Sequence, residues 1–228
     1  MSILHKILGR DGASQLAVDP THFAARVSGR PMELGSRGAY FSGFYTGVMA
    51  AGIAANSEIF QFRAVHASLF ALMRSVKISV SISTTPAAAG VPAAFELRCA
   101  RAWTAQGTGG TGITWGTHDG KKRTDFATTF LGSGDVRIAT TAALGAGTKT
   151  LDGNAARIIC GQSGTAVAQI IPAETILWLR DTADEYPFLN ENQEGFVIRV
   201  VEIQAAAVWK AAVEIEWAEI DPVAGSGW

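Results

Sequence analysis

The chain has 228 residues, of which 48% are hydrophobic, 17% are charged and 25 are Gly, with a formal net charge of -1. That composition is too apolar for a disordered chain, and the balanced charge argues against a nucleic-acid binder driven by phosphate neutralisation. No run approaches the roughly 20 apolar residues that a membrane helix needs, so the apolar excess, a mean hydropathy of +0.19, is expected inside a core or between subunits.

Residues 1–114 carry 10 basic and 5 acidic groups, and residues 115–228 carry 9 and 15. This asymmetry either helps copies pack head to tail or averages out once strands of both halves mix. Two cysteines, Cys99 and Cys160, fit a chain made in a reducing cytoplasm. Cys99 reads as a buried thiol beside Leu97 and Phe95, and the spacing leaves a Cys99–Cys160 pairing open.

Ile3, Leu4, Ile7 and Leu8 have the spacing of a short amphipathic helix that Gly9 stops. Alone it is too short to be stable, so it needs a surface to dock on. From 10 to 38 the breaks at Asp11-Gly12, Asp19-Pro20 and Arg30-Pro31 leave no period, which predicts an extended arm. Residues 1–38 are therefore expected to form an N-terminal arm that gains its burial from neighbouring subunits. Its contact residues are Ile3, Leu4, Ile7, Leu8, His22, Phe23 and Arg30. Residues 39–228 are expected to form one β domain.

Tyr40, Phe41, Phe44 and Tyr45 crowd around Gly43. The cluster reads first as a core strand over 39–46 kinked at the glycine, and second as an exposed aromatic platform. Tyr40 and Tyr45 are its candidate partner contacts. A strand follows at 58–63. The clearest strand is 75–84, beginning as early as Leu69, where Val76, Ile78, Val80 and Ile82 alternate with Lys77, Ser79, Ser81 and Ser83. Next comes 94–104, whose phase blurs at 100–103 in the manner of a bulge or a strand changing sheets.

The glycine-rich stretch 106–120 reads as a long loop or hairpin tip. Short strands are expected at 124–130, 136–142 and 156–160, with Asp152-Gly153 as a turn in the last gap. Further strands are expected at 167–171, 175–180, 196–203 and 209–220, the last with Glu214 and Glu216 on a soluble outer face or edge. Strands at this spacing, with few helical periods, give an all-β fold: an antiparallel β-sandwich, for which a jelly roll is one fitting arrangement.

No local motif carries chemistry. Gly107-Thr108-Gly109-Gly110-Thr111-Gly112 matches a dinucleotide fingerprint in letters, yet the residues after it do not open a helix. Residues 116–122 fall one residue short of a phosphate loop. Gly161-Gln162-Ser163-Gly164 lacks the last glycine of a nucleophile elbow. His5, His22, His66 and His118 stand in no metal-binding spacing. Lys121-Lys122-Arg123 reads first as a solvated strand start and second as a contact for nucleic acid or an acidic neighbour. The acidic loop 181–194 offers oxygen donors without the glycine and spacing of a calcium loop. No catalytic, cofactor or metal residues are expected.

Val18-Asp19-Pro20-Thr21-His22 with Arg30-Pro31, the stretches 46–59 and 101–112, Arg137-Ile138-Ala139, and Gly195-Phe196-Val197-Ile198-Arg199 resemble a class of tailed-bacteriophage virion structural proteins. The resemblance spans most of the chain. It implies a non-enzymatic component assembled in the bacterial cytoplasm and displayed on the virion, foremost a capsid cement or decoration protein. A tail, adaptor or fibre-attachment component is the structural alternative. Expected partners are further copies of the chain and other virion proteins such as the major capsid protein, without direct nucleic-acid or membrane contact. From another class, a carbohydrate-binding module would use Tyr40, Tyr45, Trp103 or Trp115 to stack on a glycan.

Overall fold

The computed structural model describes residues 37–49, 53–82, 93–159, 175–179, 188–203 and 208–220, all within the unit Met32–Trp228. The predicted arm, the 167–171 strand, Ser163 and Cys160 lie outside the described residues, apart from Arg37 and Gly38 at the end of the arm. In chain order the strands are β1 (Gly38–Tyr45), β2 (Glu58–Ala64), β3 (Phe70–Ile82), β4 (Ala94–Ala105), β5 (Thr111–Gly112), β6 (Val136–Ile138), β7 (Thr148–Ile159), β8 (Thr175–Leu179), β9 (Phe188–Asn190), β10 (Glu194–Glu202) and β11 (Trp209–Ile220).

The pairing follows one logic. Four antiparallel pairs, β1 with β11, β2 with β10, β3 with β8 and β4 with β7, are formed as though the chain were a long hairpin. These pairs alternate between two sheets, ordered β1-β11-β3-β8 and β2-β10-β4-β7. That winding is a jelly roll, the double Greek key of a β-sandwich. β9 adds to β3 beside β8, and β6 and β5 widen the second sheet beyond β2.

Period-two sequences produce this arrangement because each strand has one face to bury. On β3, Val76, Ile78 and Val80 are buried; on β11 the inward set is Val213, Ile215 and Trp217. Aromatic rings join the sheets: Phe44 meets Phe60 at 5.6 Å, Phe62 meets Trp217 at 6.0 Å, and Phe95 meets Trp209 at 5.8 Å between centroids. Tyr40 stacks on Trp217 at 5.3 Å within the first sheet. Each such pair adds about 0.5–1.5 kcal/mol beyond its area burial.

Several expectations need correction. Residues 124–130 are irregular, because their backbone is captured by side chains of the first sheet. Arg37 Nη2 donates to Thr128 O at 3.2 Å, the Tyr40 hydroxyl donates to Ala127 O at 2.9 Å, and Phe130 N donates to the Glu219 carboxylate at 3.1 Å. The strand at 136–142 stops after Ile138, where Ala139 O turns to accept from Gly47 N at 3.3 Å. Asp152-Gly153 is no turn. It lies inside β7, and the register shift between Arg98 and Ala100 absorbs it.

The acidic segment 181–194 contains β9. β11 is an inner strand between β1 and β3 rather than an edge. The blurred phase at 100–103 is a bulge, with Ala102 at φ 49°. β2 is buried on both faces, since residues from the excursion between β5 and β7 lie over its outer side: Leu144 N donates to Glu58 O, and Gln61 Nε2 donates to Gly145 O at 3.0 Å.

Candidate interaction surface

β1 sends alternate side chains to opposite faces, and its partner β11 decides which face is inner. Tyr40 stands opposite Trp217 and Phe44 opposite Val213, so both rings enter the core. Phe41, Gly43 and Tyr45 then face outward. Phe41 is 56% exposed, Tyr45 77% and Val48, just beyond the strand, 49%. Gly43 leaves a gap between the two rings; a Cβ there would touch only Glu214 Cγ, at 3.6 Å. An open groove of about 520 Å³ runs beside it, lined by Phe41, Gly43, Lys77, Lys122, Glu214 and Glu216.

The groove is charge-balanced. Lys122 is paired with Glu216, Arg74 Nη1 lies 3.0 Å from the same carboxylate, and Lys77 Nζ lies 3.9 Å from Glu214. Each carboxylate thus has a cation within this face, so nothing selects strongly for a charged ligand. The basic cluster at 121–123 serves the same network: besides the Lys122 pair, Arg123 binds Asp125 at 2.6 Å and lies 5.3 Å over the Phe126 ring.

The backbone of β1 is less complete than its side chains. Thr46 N donates to Ala211 O at 2.9 Å, continuing the β11 ladder on the inner side of the strand. On the outer side, Phe41 N donates to Gly120 O at 2.7 Å, Ala39 O accepts from Lys122 N at 3.0 Å, and Gly47 N donates to Ala139 O. Between these two straps the N–H and C=O groups of Gly43 and Tyr45 point away from β11, and among the described residues no backbone group meets them.

The outer face of the second sheet holds a different cluster. Glu96 on β4 is 1% exposed and accepts from Arg98 Nε at 2.7 Å, Arg157 Nε of β7 at 3.0 Å and Arg199 Nε of β10 at 3.0 Å. Burial pushes its carboxyl up, but the hydrogen bonds from Arg98, Arg199 and Arg157 outweigh that and hold it at about 2. Nearby, Lys149 Nζ donates to Glu58 at 2.8 Å and sits 4.3 Å over the Trp103 ring, and burial lowers its pKa despite the carboxylate. Both clusters tie strands together.

A third cluster pins β1. Glu219, fully buried, accepts from Thr129 and from Phe130 N, with Arg37 Nε at 3.3 Å. Burial pushes its pKa up while these donors pull it back.

Of the residues expected to touch partners, Ile3, Leu4, Ile7, Leu8, His22, Phe23 and Arg30 lie outside the described residues. Tyr45 is on the exposed face. Tyr40 is not a surface residue: its ring is fully buried against Trp217, so its assignment as a partner contact is corrected. Trp103 is buried and Trp115 is packed against the core, which removes them as open stacking platforms. The glycine motif at 107–112 runs into β5 and coil rather than a helix, and 117–120 is a turn.

Among the described residues no group of His, Cys, Asp or Glu side chains is placed to hold a metal. Glu194 of the acidic segment is instead paired with Arg101 at 2.6 Å. Comparison of the chain with protein-family models, curated proteins and solved structures returns no match. Phe41 and Val48 were not singled out in the sequence as contacts. Strict alternation from Tyr40 would have placed Phe41 with Tyr45 on the opposite side, but only β11 tells which side is outer.

Proposed function

We propose that the chain is a non-enzymatic structural protein of a virus particle that binds neighbouring subunits, a capsid cement or decoration component of the tailed-phage kind. The observation that carries this reading is the outer side of β1. A jelly-roll sandwich presents there two exposed aromatic rings and backbone groups that meet no partner among the described residues, beside a charge-balanced groove. Exposed apolar side chains grouped beside an open strand edge mark an association surface rather than ordinary wet sheet. The fold alone does not decide function, since jelly rolls host many roles. The same surface serves a tail, adaptor or fibre-attachment component.

The test is particle association. Lysate from producing cells is fractionated on a density gradient, and the chain is expected to sediment with intact particles and to be released by mild chaotrope as folded protein. A chain found wholly in the soluble fractions, beside particles complete without it, overturns the reading. A carbohydrate-binding module is favoured by one observation, the exposed Phe41 ring lining the groove with the exposed Tyr45 ring further along the same face of β1. It predicts saturable binding to host polysaccharide that Tyr45→Ala abolishes.

A further inference from the structure

We propose that a hollow on the outer face of the second sheet, where β4 begins between β7 and β10, is a binding site for a monocarboxylate that carries a small apolar group. The site lies apart from the β1 surface and stands whether or not that surface binds neighbouring subunits. The hollow has a volume of about 330 Å³, at the small end of ligand sites. Its shape follows from the register. Ala94 of β4 stands between Ile159 of β7 and Glu202 of β10, and Phe95, the next residue, enters the core, so the small Ala94 side chain forms an outward floor. Arg157 and Ile159 make one wall, and Val201 and Glu202 the other.

The charge of the site comes from the Glu96 cluster. Arg98 turns its Nη1 to Asp152 O at 3.1 Å, and Arg199 sets both Nε and Nη2 on the Glu96 carboxylate. Arg157 differs: it gives Glu96 only Nε, at 3.0 Å, its side chain is 64% exposed, and its terminal nitrogens meet no partner among the described residues. The buried carboxylate thus holds one edge of this guanidinium and leaves the other open, a planar fork that fits a carboxylate through two parallel hydrogen bonds. Because the fork is already oriented, less freedom is lost when a ligand binds.

Charge and apolar surface together select the ligand. Three guanidiniums around one carboxylate leave an excess of two positive charges, and Glu202 on the facing wall lowers it to one. A single negative charge completes that balance, whereas a phosphate group or an acidic run would exceed it and meet Glu202. Next to the fork Ile159 is 64% exposed, with Ala94 and Val201 beyond it, so an apolar group attached to the carboxylate covers side chains that water otherwise meets. The C-terminal residue of a polypeptide and a free short-chain acid share this chemistry.

The test uses the full chain with isotope-labelled isoleucine methyl groups, the Ile159 signal being assigned through Ile159→Val. N-acetyl-leucine and isocaproate are each expected to shift that signal saturably, with a dissociation constant on the order of 1 mM. Tighter binding of N-acetyl-leucine names a polypeptide terminus as the source, and tighter binding of isocaproate names a free acid; either supports the site. N-acetyl-leucinamide, which lacks the charge, and acetate, which lacks the apolar body, should each bind about tenfold or more weakly. Arg157→Gln should weaken both acids by about tenfold or more, with the other isoleucine signals in place. An amide or acetate as effective as the two acids, a shift that does not saturate, or an Arg157→Gln variant that binds like wild type overturns the proposal.

Discussion

Replacing Glu96 with Gln removes the one carboxylate on which three arginines from three adjacent strands converge. The Glu96 side chain is 2% exposed, and its partners Arg98 and Arg199 are 18% and 13% exposed, so solvent does little to screen these pairs. Arg157, at 64%, is screened more. A carboxyl held at about 2 instead of 4.5 corresponds to about 3 kcal/mol of preference for the charged form, less the share of the screened Arg157.

Glu96→Gln is therefore expected to destabilise the domain by about 2–3 kcal/mol at neutral pH, or roughly 4–12 °C in Tm for a domain of this size. Because the folded-state pKa is depressed, this stability is fully present above 4.5 and is lost as pH falls towards about 2. Urea unfolding of both proteins across that window is the assay. The gap between wild type and variant should close as the pH drops. A variant as stable as wild type at neutral pH, or a gap that stays constant with pH, refutes the reasoning. Arg157→Ala is the internal control and should cost under about 1 kcal/mol.

Trp217→Ala removes a buried ring that stacks on Tyr40 and meets Phe62 and Trp115 edge-on; a loss of about 3–5 kcal/mol is expected in chemical denaturation. Gly195→Ala would drive a Cβ into Phe62 O across the β2–β10 pair, whereas at Gly153 a Cβ meets nothing within 4 Å. The first should lower Tm sharply, and the second should leave it unchanged or raise it slightly. Burial of Tyr40, with the Glu219 carboxylate beside it, pushes its phenol above the usual tyrosine range. In an ultraviolet titration Tyr40 is expected to stay protonated until alkaline unfolding, and Tyr40→Phe should remove that component.

The strands that were legible in the sequence are those whose alternation is set by the strand itself. β3 and β11 were found with nearly their full lengths because Val76, Ile78 and Val80, and then Val213, Ile215 and Trp217, each face one core. β2 was placed correctly, but its burial on both faces was invisible, since Glu58 and Gln61 look like solvent-facing residues until residues 144–149 lie over them. The same limit hid the Glu96 cluster. Glu96 and Arg98 read as an outward polar pair, and nothing local indicates that Arg157 and Arg199 arrive from β7 and β10. Residues 124–130 failed for the reverse reason: Thr124, Thr128, Thr129 and Phe130 favour strand, yet Glu219 and Tyr40 take their backbone groups. Tyr40 and Tyr45 were grouped as neighbours in sequence, and an odd spacing separated them into core and surface.

The pairing of β1 with β11 also fixes how the domain answers force. Gly38 lies opposite Glu219 and Tyr45 opposite Ala212, so the residues before β1 and those after β11 leave the sheet at the same end. Pulling those two flanks apart peels the ladder open one hydrogen bond at a time. A pull along β1 from its leading end, resisted by the body of the domain, instead loads the whole ladder in shear, and its bonds must fail together. A load applied at Arg37 is thus resisted strongly in the direction of the strand and weakly across it, so the domain withstands a pull along β1 far better than a sideways peel.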